Sequence, residues 1–242
     1  MISIIGLGLW DEKDITIRGL EKAKQADIVY LEAYTSKLMG TSKEKLEQII
    51  GKQLQIAPRE FIEKGEILNY AKSNNVALLV VGDPMVATTH SDLILQAKEK
   101  KIKFELVHNS SVYSAIAETG LQIYKFGRSG TITFWEGDYK PTSWFNVYKQ
   151  NKELELHTLF FLDLDMGKNK FLSAQEAISQ LLEVGLSEET EIIVCSQLGA
   201  PGKISFGKPK DLLKKDIGLP LQVIIIPGKL HDKEKEFLEL FR

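Results

Sequence analysis

Apolar positions along the chain fall into two regimes, with the change near the middle. In the first half, short apolar runs alternate with segments of helical period. Residues 2–5 read as a strand, followed by a helix over 16–25 with Ile17, Leu20 and Ala23 on one side. A second strand covers 28–31, and a helix over 42–50 presents Leu46, Ile49 and Ile50. A short strand at 54–56 and one helix over 61–73 come next. Residues 76–81 are apolar without alternation, which predicts a strand buried on both faces. A helix over 91–100 and a strand over 104–107 close the series. Strands separated by helices at this spacing predict right-handed βαβ units and a parallel sheet.

In the second half strands are predicted at 130–135, 158–162, 191–196 and 221–226, between loops rich in Gly, Pro and aromatic residues. The helix over 174–182 is the best defined element there. Ser173 and Glu176 make a capping-box pattern ahead of Ala174, Ala177, Ile178, Leu181 and Leu182. The change of regime, near residues 107–114, divides the chain into an N-terminal α/β domain (1–108) and a C-terminal α/β domain (109–242).

The 242 residues carry 31 Lys and Arg against 33 Asp and Glu, a net charge of -2. That near neutrality gives no bulk electrostatic case for nucleic acid or anionic lipid. No apolar run approaches the roughly 18 residues that span a bilayer. The opening MISIIG has no basic stretch before an apolar core, so no secretory signal is expected. Cys195 is the single cysteine. It allows no intrachain disulfide and no cysteine-rich metal site, and a cytoplasmic setting is the simplest expectation.

Two glycine turns carry the candidate chemistry. Gly6-Leu7-Gly8-Leu9-Trp10-Asp11 follows the first strand, where G-x-G-x-x-G would seat a pyrophosphate on a helix N-terminus. Asp11 stands at the third glycine. Two like charges about 4 Å apart cost about 4 kcal/mol at an effective dielectric near 20, so a diphosphate is disfavoured. The helix also starts late, with Thr16 as its predicted cap. A tight turn without a ligand remains the competing reading.

Gly82-Asp83-Pro84-Met85-Val86-Ala87-Thr88-Thr89-His90 follows the buried strand, at the sheet end where open parallel sheets bind ligands. Thr89 with Asp92 is predicted to cap the next helix. Asp83 either faces the crevice or bonds its own backbone, as Asp before Pro commonly does. His90 reads as a surface residue in the first helical turn. Neither turn holds a Lys or Arg. A neutral or cationic ligand suits them, and S-adenosylmethionine, phosphate-free and carrying a sulfonium, meets that description.

Longer strings sharpen the picture. Gly6-Leu7-Gly8-Leu9, Asp14-Ile15-Thr16, Gly19-Leu20 and Tyr30-Leu31-Glu32-Ala33-Tyr34-Thr35-Ser36 resemble the opening of the diphthine synthase family. Gly82-Asp83-Pro84 with Ala87-Thr88-Thr89-His90-Ser91-Asp92-Leu93 is similar to its second signature. His108-Asn109-Ser110-Ser111-Val112 and Gly120-Leu121-Gln122-Ile123-Tyr124-Lys125-Phe126-Gly127 resemble its third. A Gly-Asp-Pro loop alone would indicate only the wider tetrapyrrole-methylase-like superfamily.

The resemblance implies a two-domain α/β tetrapyrrole-methylase-like fold. Its N-terminal domain has a mainly parallel sheet, its C-terminal domain a mixed sheet, and the ligand cleft lies between them. It implies an S-adenosylmethionine-dependent methyltransferase, without a metal, that releases S-adenosylhomocysteine. The implied substrate is the amino group of a 3-amino-3-carboxypropyl-histidine on translation elongation factor 2, in diphthamide biosynthesis. A homodimer is implied, with no nucleic-acid or membrane partner. The absence of an insertion after Leu164 implies the archaeal branch, where trimethylation gives diphthine.

Carried over residue by residue, the cofactor contacts are Leu9, Asp83, Val86, Ser111, Val112, Leu162, Leu198 and His231. The surroundings of Leu198, Ser196-Gln197-Leu198-Gly199, depart from the family pattern. Apolar members make sense because an adenine ring needs apolar walls and backbone hydrogen bonds.

No catalytic residue is assigned. Methyl transfer from a sulfonium asks for alignment and exclusion of water rather than a dedicated base. Lys125 or Arg128 could pair with the substrate carboxylate. The aromatic segment 134–145 either receives the substrate protein or packs against the protein itself. Competing readings are a tetrapyrrole or corrinoid methyltransferase of the same superfamily and a non-catalytic S-adenosylmethionine-binding protein. A nicotinamide dehydrogenase is disfavoured by Asp11.

Overall fold

The computed structural model describes residues 1–199 and 201–242. The chain forms two compact units, Met1–Tyr113 and Ser114–Arg242.

The first unit contains β1 (Ile2–Gly6), α1 (Ile17–Gln25), β2 (Ile28–Glu32), α2 (Lys43–Ile50) and β3 (Leu54–Ala57). It continues with α3 (Arg59–Glu63), α4 (Ile67–Ala71), β4 (Val76–Val80), α5 (His90–Glu99) and β5 (Phe104–Val107), and α6 (Val112–Ala115) begins at its end. The strands form one parallel sheet in the order β3-β2-β4-β1-β5. β4 shows why its apolar run has no alternation. Val76, Leu78 and Val80 enter one apolar cluster, while Ala77 and Leu79 enter a second on the opposite face. A strand covered on both sides has no face left for polar residues.

The helix expected over 61–73 is two helices. Gly65 between them takes φ +65°, a left-handed conformation that ends α3, and the chain restarts at Ile67. The predicted cap of α1 is present, and α2 is capped by a residue that the sequence pattern places inside the helix. The Thr16 hydroxyl accepts from Gly19 N–H at 3.0 Å, and Ser42 caps Lys45 N–H.

The second unit contains β6 (Gly130–Ile132), α7 (Phe145–Glu153), β7 (Thr158–Leu162), a small hairpin of β8 (Leu164–Asp165) and β9 (Lys170–Phe171), and α8 (Ala174–Glu183). β10 (Ile192–Ser196), β11 (Lys203–Gly207), α9 (Pro209–Leu212), β12 (Gln222–Ile226) and α10 (Asp232–Leu238) complete it. Its sheet is mixed, in the order β11-β10-β12-β7-β6, with only the β6–β7 pair parallel. Fully buried Phe160 lies in its core with Ile132, Trp144 and Ile224.

The capping box of α8 forms as predicted. The strand expected over 130–135 stops at Ile132, and beyond it Phe134 N–H donates to the Asp163 carboxylate at 3.1 Å. α7, α10 and β11 have no counterpart in the sequence pattern. α7 buries only Phe145, Tyr148 and Asn151, and α10 only Glu234 and Leu238, too few apolar positions to mark a helical face.

Candidate functional site

In the first sheet the chain leaves β1 toward β2 and leaves β4 toward β5, although β1 and β4 are neighbours. Each connection passes the other strand, and the two run on opposite faces of the sheet, α1 packing on one and α5 on the other. Loops that part to opposite faces in this way open a crevice at the carboxyl ends of the two strands. Both glycine turns lie there, and backbone hydrogen bonds join them. Leu7 N–H donates to Val80 O at 2.8 Å, Gly82 N–H to Gly8 O at 2.8 Å, and Gly8 N–H to Gly82 O at 3.3 Å. Gly8 (φ +81°) and Gly82 (φ +76°) take left-handed conformations that side chains rarely allow. A Cβ on Gly6 would stand 2.6 Å from Gly82 O and 2.7 Å from the Asn109 Cβ, so this approach of three segments requires glycine.

Asp83 is buried, and both its oxygens are committed. Oδ1 accepts from Met85 N–H at 2.9 Å. Oδ2 accepts from Asn109 N–H at 3.1 Å and lies 2.9 Å from His108 Nδ1. The bond to its own turn forms as one sequence reading had it, and the second oxygen ties that turn to the segment after β5. Asn109 extends the tie, its amide donating to Gly6 O and Asp14 O, each at 2.9 Å. The Asp14 carboxylate in turn accepts from Leu9 N–H (3.1 Å) and Trp10 N–H (2.7 Å). Asn109 and Asp14 were not singled out in the sequence. Both lie within the strings that carry the family resemblance, the one signal that could have found them.

Leu9, Asp83, Val86, Ser111 and Val112 follow β1, β4 or β5 and come to one end of the parallel sheet. Asp83 and Ser111 are buried; Leu9, Val86 and Val112 are half-buried.

In the second unit, Leu162 ends β7 and Leu198 follows β10, both buried. β12 runs antiparallel to β7 and β10, so Leu162 and Leu198 share one end of that sheet. The chain leaves β12 at the other end, where β7 begins, and Gly228 N–H donates to His157 Nδ1 at 2.9 Å. His231, exposed at the N-cap of α10, is therefore not brought to the Leu162–Leu198 end. It is held by Glu234, which accepts from His231 N–H at 2.7 Å and from Gln122 N–H at 3.0 Å.

The Glu234 node corrects the expectation for Lys125. Its ammonium bonds the Glu234 carboxylate and, at 2.7 Å, Lys229 O, so it is already neutralised within the protein. Burial alone would raise the Glu234 pKa. Hydrogen bonds from Gln122, Lys125, His231 and His157 outweigh it and hold the value at about 2. Exposed Arg128 reaches Gln150 Oε1 at 3.1 Å. The aromatic segment divides. Trp144 and Phe145 enter the core of the unit, and the indoles of Trp135 and Trp144 both donate to Pro141 O. Tyr139 is exposed and flanks a groove of about 750 Å³ beside β6.

His90 differs from its sequence reading. It is fully buried, its ring against the Thr88 hydroxyl and Pro84 O. Thr89 holds the N-cap position of α5 but makes no side-chain cap bond, and Thr88 Oγ1 instead accepts from His90 N–H at 3.3 Å. Among the described residues no cluster of three or more His, Cys, Asp or Glu could hold a metal ion. No helix among them is long and apolar enough to cross a membrane.

The family model described as tetrapyrrole (corrin/porphyrin) methylases matches residues 1–212. The chain is 41% identical to a diphthine synthase of Methanocaldococcus jannaschii over 251 aligned positions, covering 99% of this chain and 98% of the relative. It is 41% identical to a diphthine methyl ester synthase of Schizosaccharomyces pombe over 267 positions, covering 100% and 94%. A crystal structure of a diphthine synthase superposes with a TM-score of 0.91 at 36% identity, covering 99% of this chain and 95% of that one. Full-length likeness at these identities, on a crevice built from glycine turns without cationic side chains, places the chain: it belongs to the tetrapyrrole (corrin/porphyrin) methylase family and, within it, to the diphthine synthases.

Proposed function

We propose that this chain transfers methyl groups from S-adenosylmethionine to the amino group of 3-amino-3-carboxypropyl-histidine on translation elongation factor 2, giving diphthine by trimethylation. The observation that carries the reading is the pair of bridged glycine turns at the β1–β4 crevice. Residues 6–11 and 82–89 present backbone, Leu9 and Val86, and contain no Lys or Arg to seat a phosphate. Apolar walls with backbone donors and acceptors suit a nucleoside that carries a positive charge. The proposed cofactor contacts are Leu9, Asp83, Val86, Ser111, Val112, Leu162 and Leu198; His231, which follows the opposite end of the second sheet, is an eighth candidate tested on its own.

Bound there, S-adenosylmethionine supplies an electrophilic methyl group for in-line displacement by the amine. The protein's part is to hold the reacting groups in line and keep water out. Asp83, with both oxygens bonded internally, acts by fixing the turn, so the contacts it offers are those of its backbone. The amine must be neutral to attack, and a dry site beside a sulfonium lowers its pKa; no residue is assigned as a base. A homodimer, a cytoplasmic setting, elongation factor 2 as the protein partner, and no metal, nucleic acid or membrane belong to the same proposal. Archaeal and yeast relatives stand at the same identity, so identity favours neither branch.

Mass spectrometry of the modified histidine, before and after incubation with donor, tests the reading. Three added methyl groups are expected. Transfer to a corrinoid but not to the elongation factor would favour a tetrapyrrole methyltransferase. Donor binding with no release of S-adenosylhomocysteine would mark a binding protein. A fourth, ester methyl would match the name of the yeast relative. His231→Ala tests that position separately; unchanged donor affinity would remove it from the set.

A further inference from the structure

His90 is a fully buried polar residue that the proposed methyl transfer does not use. It opens α5 directly after the Gly82 turn. Its Nδ1 lies 2.9 Å from Pro84 O and 2.8 Å from the Thr88 hydroxyl. Pro84 O can only accept, so Nδ1 carries a hydrogen and donates to it. The other ring nitrogen, Nε2, is buried, has no hydrogen-bond partner among the described residues, and stands 3.6 Å from Glu32 Oε2. Glu32, also buried, ends β2 and accepts from the amides of Tyr34 (3.1 Å) and Thr35 (2.9 Å) and from the Thr35 hydroxyl. The imidazole therefore sits between the end of β2 and the turn that carries Asp83 and Val86.

That turn needs holding. Ala87 takes φ +54°, a conformation costly for a residue with a Cβ, and such strain persists only where surrounding bonds over-determine the backbone. Asp83 pins the turn from one side through Met85, Asn109 and His108. His90 pins the other side through Pro84 O. Without that donor a buried carbonyl loses its partner.

We propose that His90 is a positioning residue for the cofactor turn, its Nδ1–H fixing the Pro84 carbonyl and thereby the backbone between Asp83 and Val86. The inference rests on the reading of this turn as part of the S-adenosylmethionine site. Two substitutions separate the hydrogen bond from mere filling of space. His90→Asn keeps a nitrogen on Cγ, in the place of Nδ1, but is smaller. His90→Leu fills the volume and cannot donate. Calorimetric titration with S-adenosylmethionine should show about tenfold weaker binding for His90→Leu, the scale of one buried hydrogen bond lost. His90→Asn should stay within about threefold of wild type. A residue that served only to pack would give the reverse order, and that order, or equal affinities in all three proteins, overturns the proposal.

Nitrogen-15 NMR of the wild-type imidazole supplies a test that needs no variant: a protonated Nδ1 is expected, and an unprotonated one rules the bond out. Absence of heat from the wild type would remove the donor reading and this inference together. Wild-type binding with an unaffected His90→Leu would remove this inference alone.

Discussion

Asn109 makes four hydrogen bonds around one side chain and one amide. It donates to Gly6 O, Asp14 O and Asp83 Oδ2, and its Oδ1 accepts from Ser110 N–H at 2.7 Å. Asn109→Ala strands two carbonyls, an expected loss of about 1–3 kcal/mol in chemical denaturation, with weakened donor binding. In the second unit Glu234 and His157 form a buried acid-sensitive pair. His157 Nδ1 accepts from Gly228 N–H, so Nε2 carries the hydrogen that faces Glu234 Oε1 at 3.1 Å. Burial lowers the His157 pKa below 6.5, and Glu234 offsets this only in part. Glu234 is held at about 2, below its ordinary 4.5. Both pKa values are depressed in the folded state, so their stabilisation is complete above the unfolded values. It is lost as pH falls, first below 6.5 for His157 and then from 4.5 toward about 2 for Glu234. Urea midpoints measured across that range should decline less steeply with acid in Glu234→Gln; an unchanged slope would contradict the assignment.

Among the elements, α8 shows how completely a local pattern can dictate local structure. Ser173 Oγ accepts from Glu176 N–H, Glu176 reaches back to Ser173 N–H at 3.0 Å, and Ala174, Ala177, Ile178 and Leu181 are fully buried. Ser173→Ala should cost about 1 kcal/mol of stability, read from the urea midpoint, with donor affinity unchanged. α10 shows the opposite. Its charged sequence buries Glu234, a residue that periodicity assigns to solvent, because Lys125, His157 and the Gln122 amide supply partners from elsewhere in the unit, beside the helix's own N-cap amide at His231. α5 begins at His90, one residue before its expected start, and buries that residue against Pro84 O and the Thr88 hydroxyl.

At the scale of the molecule, each unit has its own apolar core. Phe160 is fully buried, with the Trp144 ring edge-on at 5.7 Å. Phe160→Ala should cost about 3–5 kcal/mol, measurable as an early denaturation midpoint. The sequence by itself determined the parallel sheet of the first half, the helix caps at Thr16 and Ser173, and the two glycine turns, because these rest on local periodicity and local hydrogen bonds. The family was legible from strings of residues, and so was the placement of the turns at strand ends. Only the tertiary structure decided that the turns bond each other through Gly8 and Gly82, that Asp83 is spent on Met85, His108 and Asn109, that Lys125 is paired with Glu234, and that His90 is buried. Those outcomes depend on partners up to 109 residues apart in the chain, and no periodic pattern encodes which buried polar group will meet which.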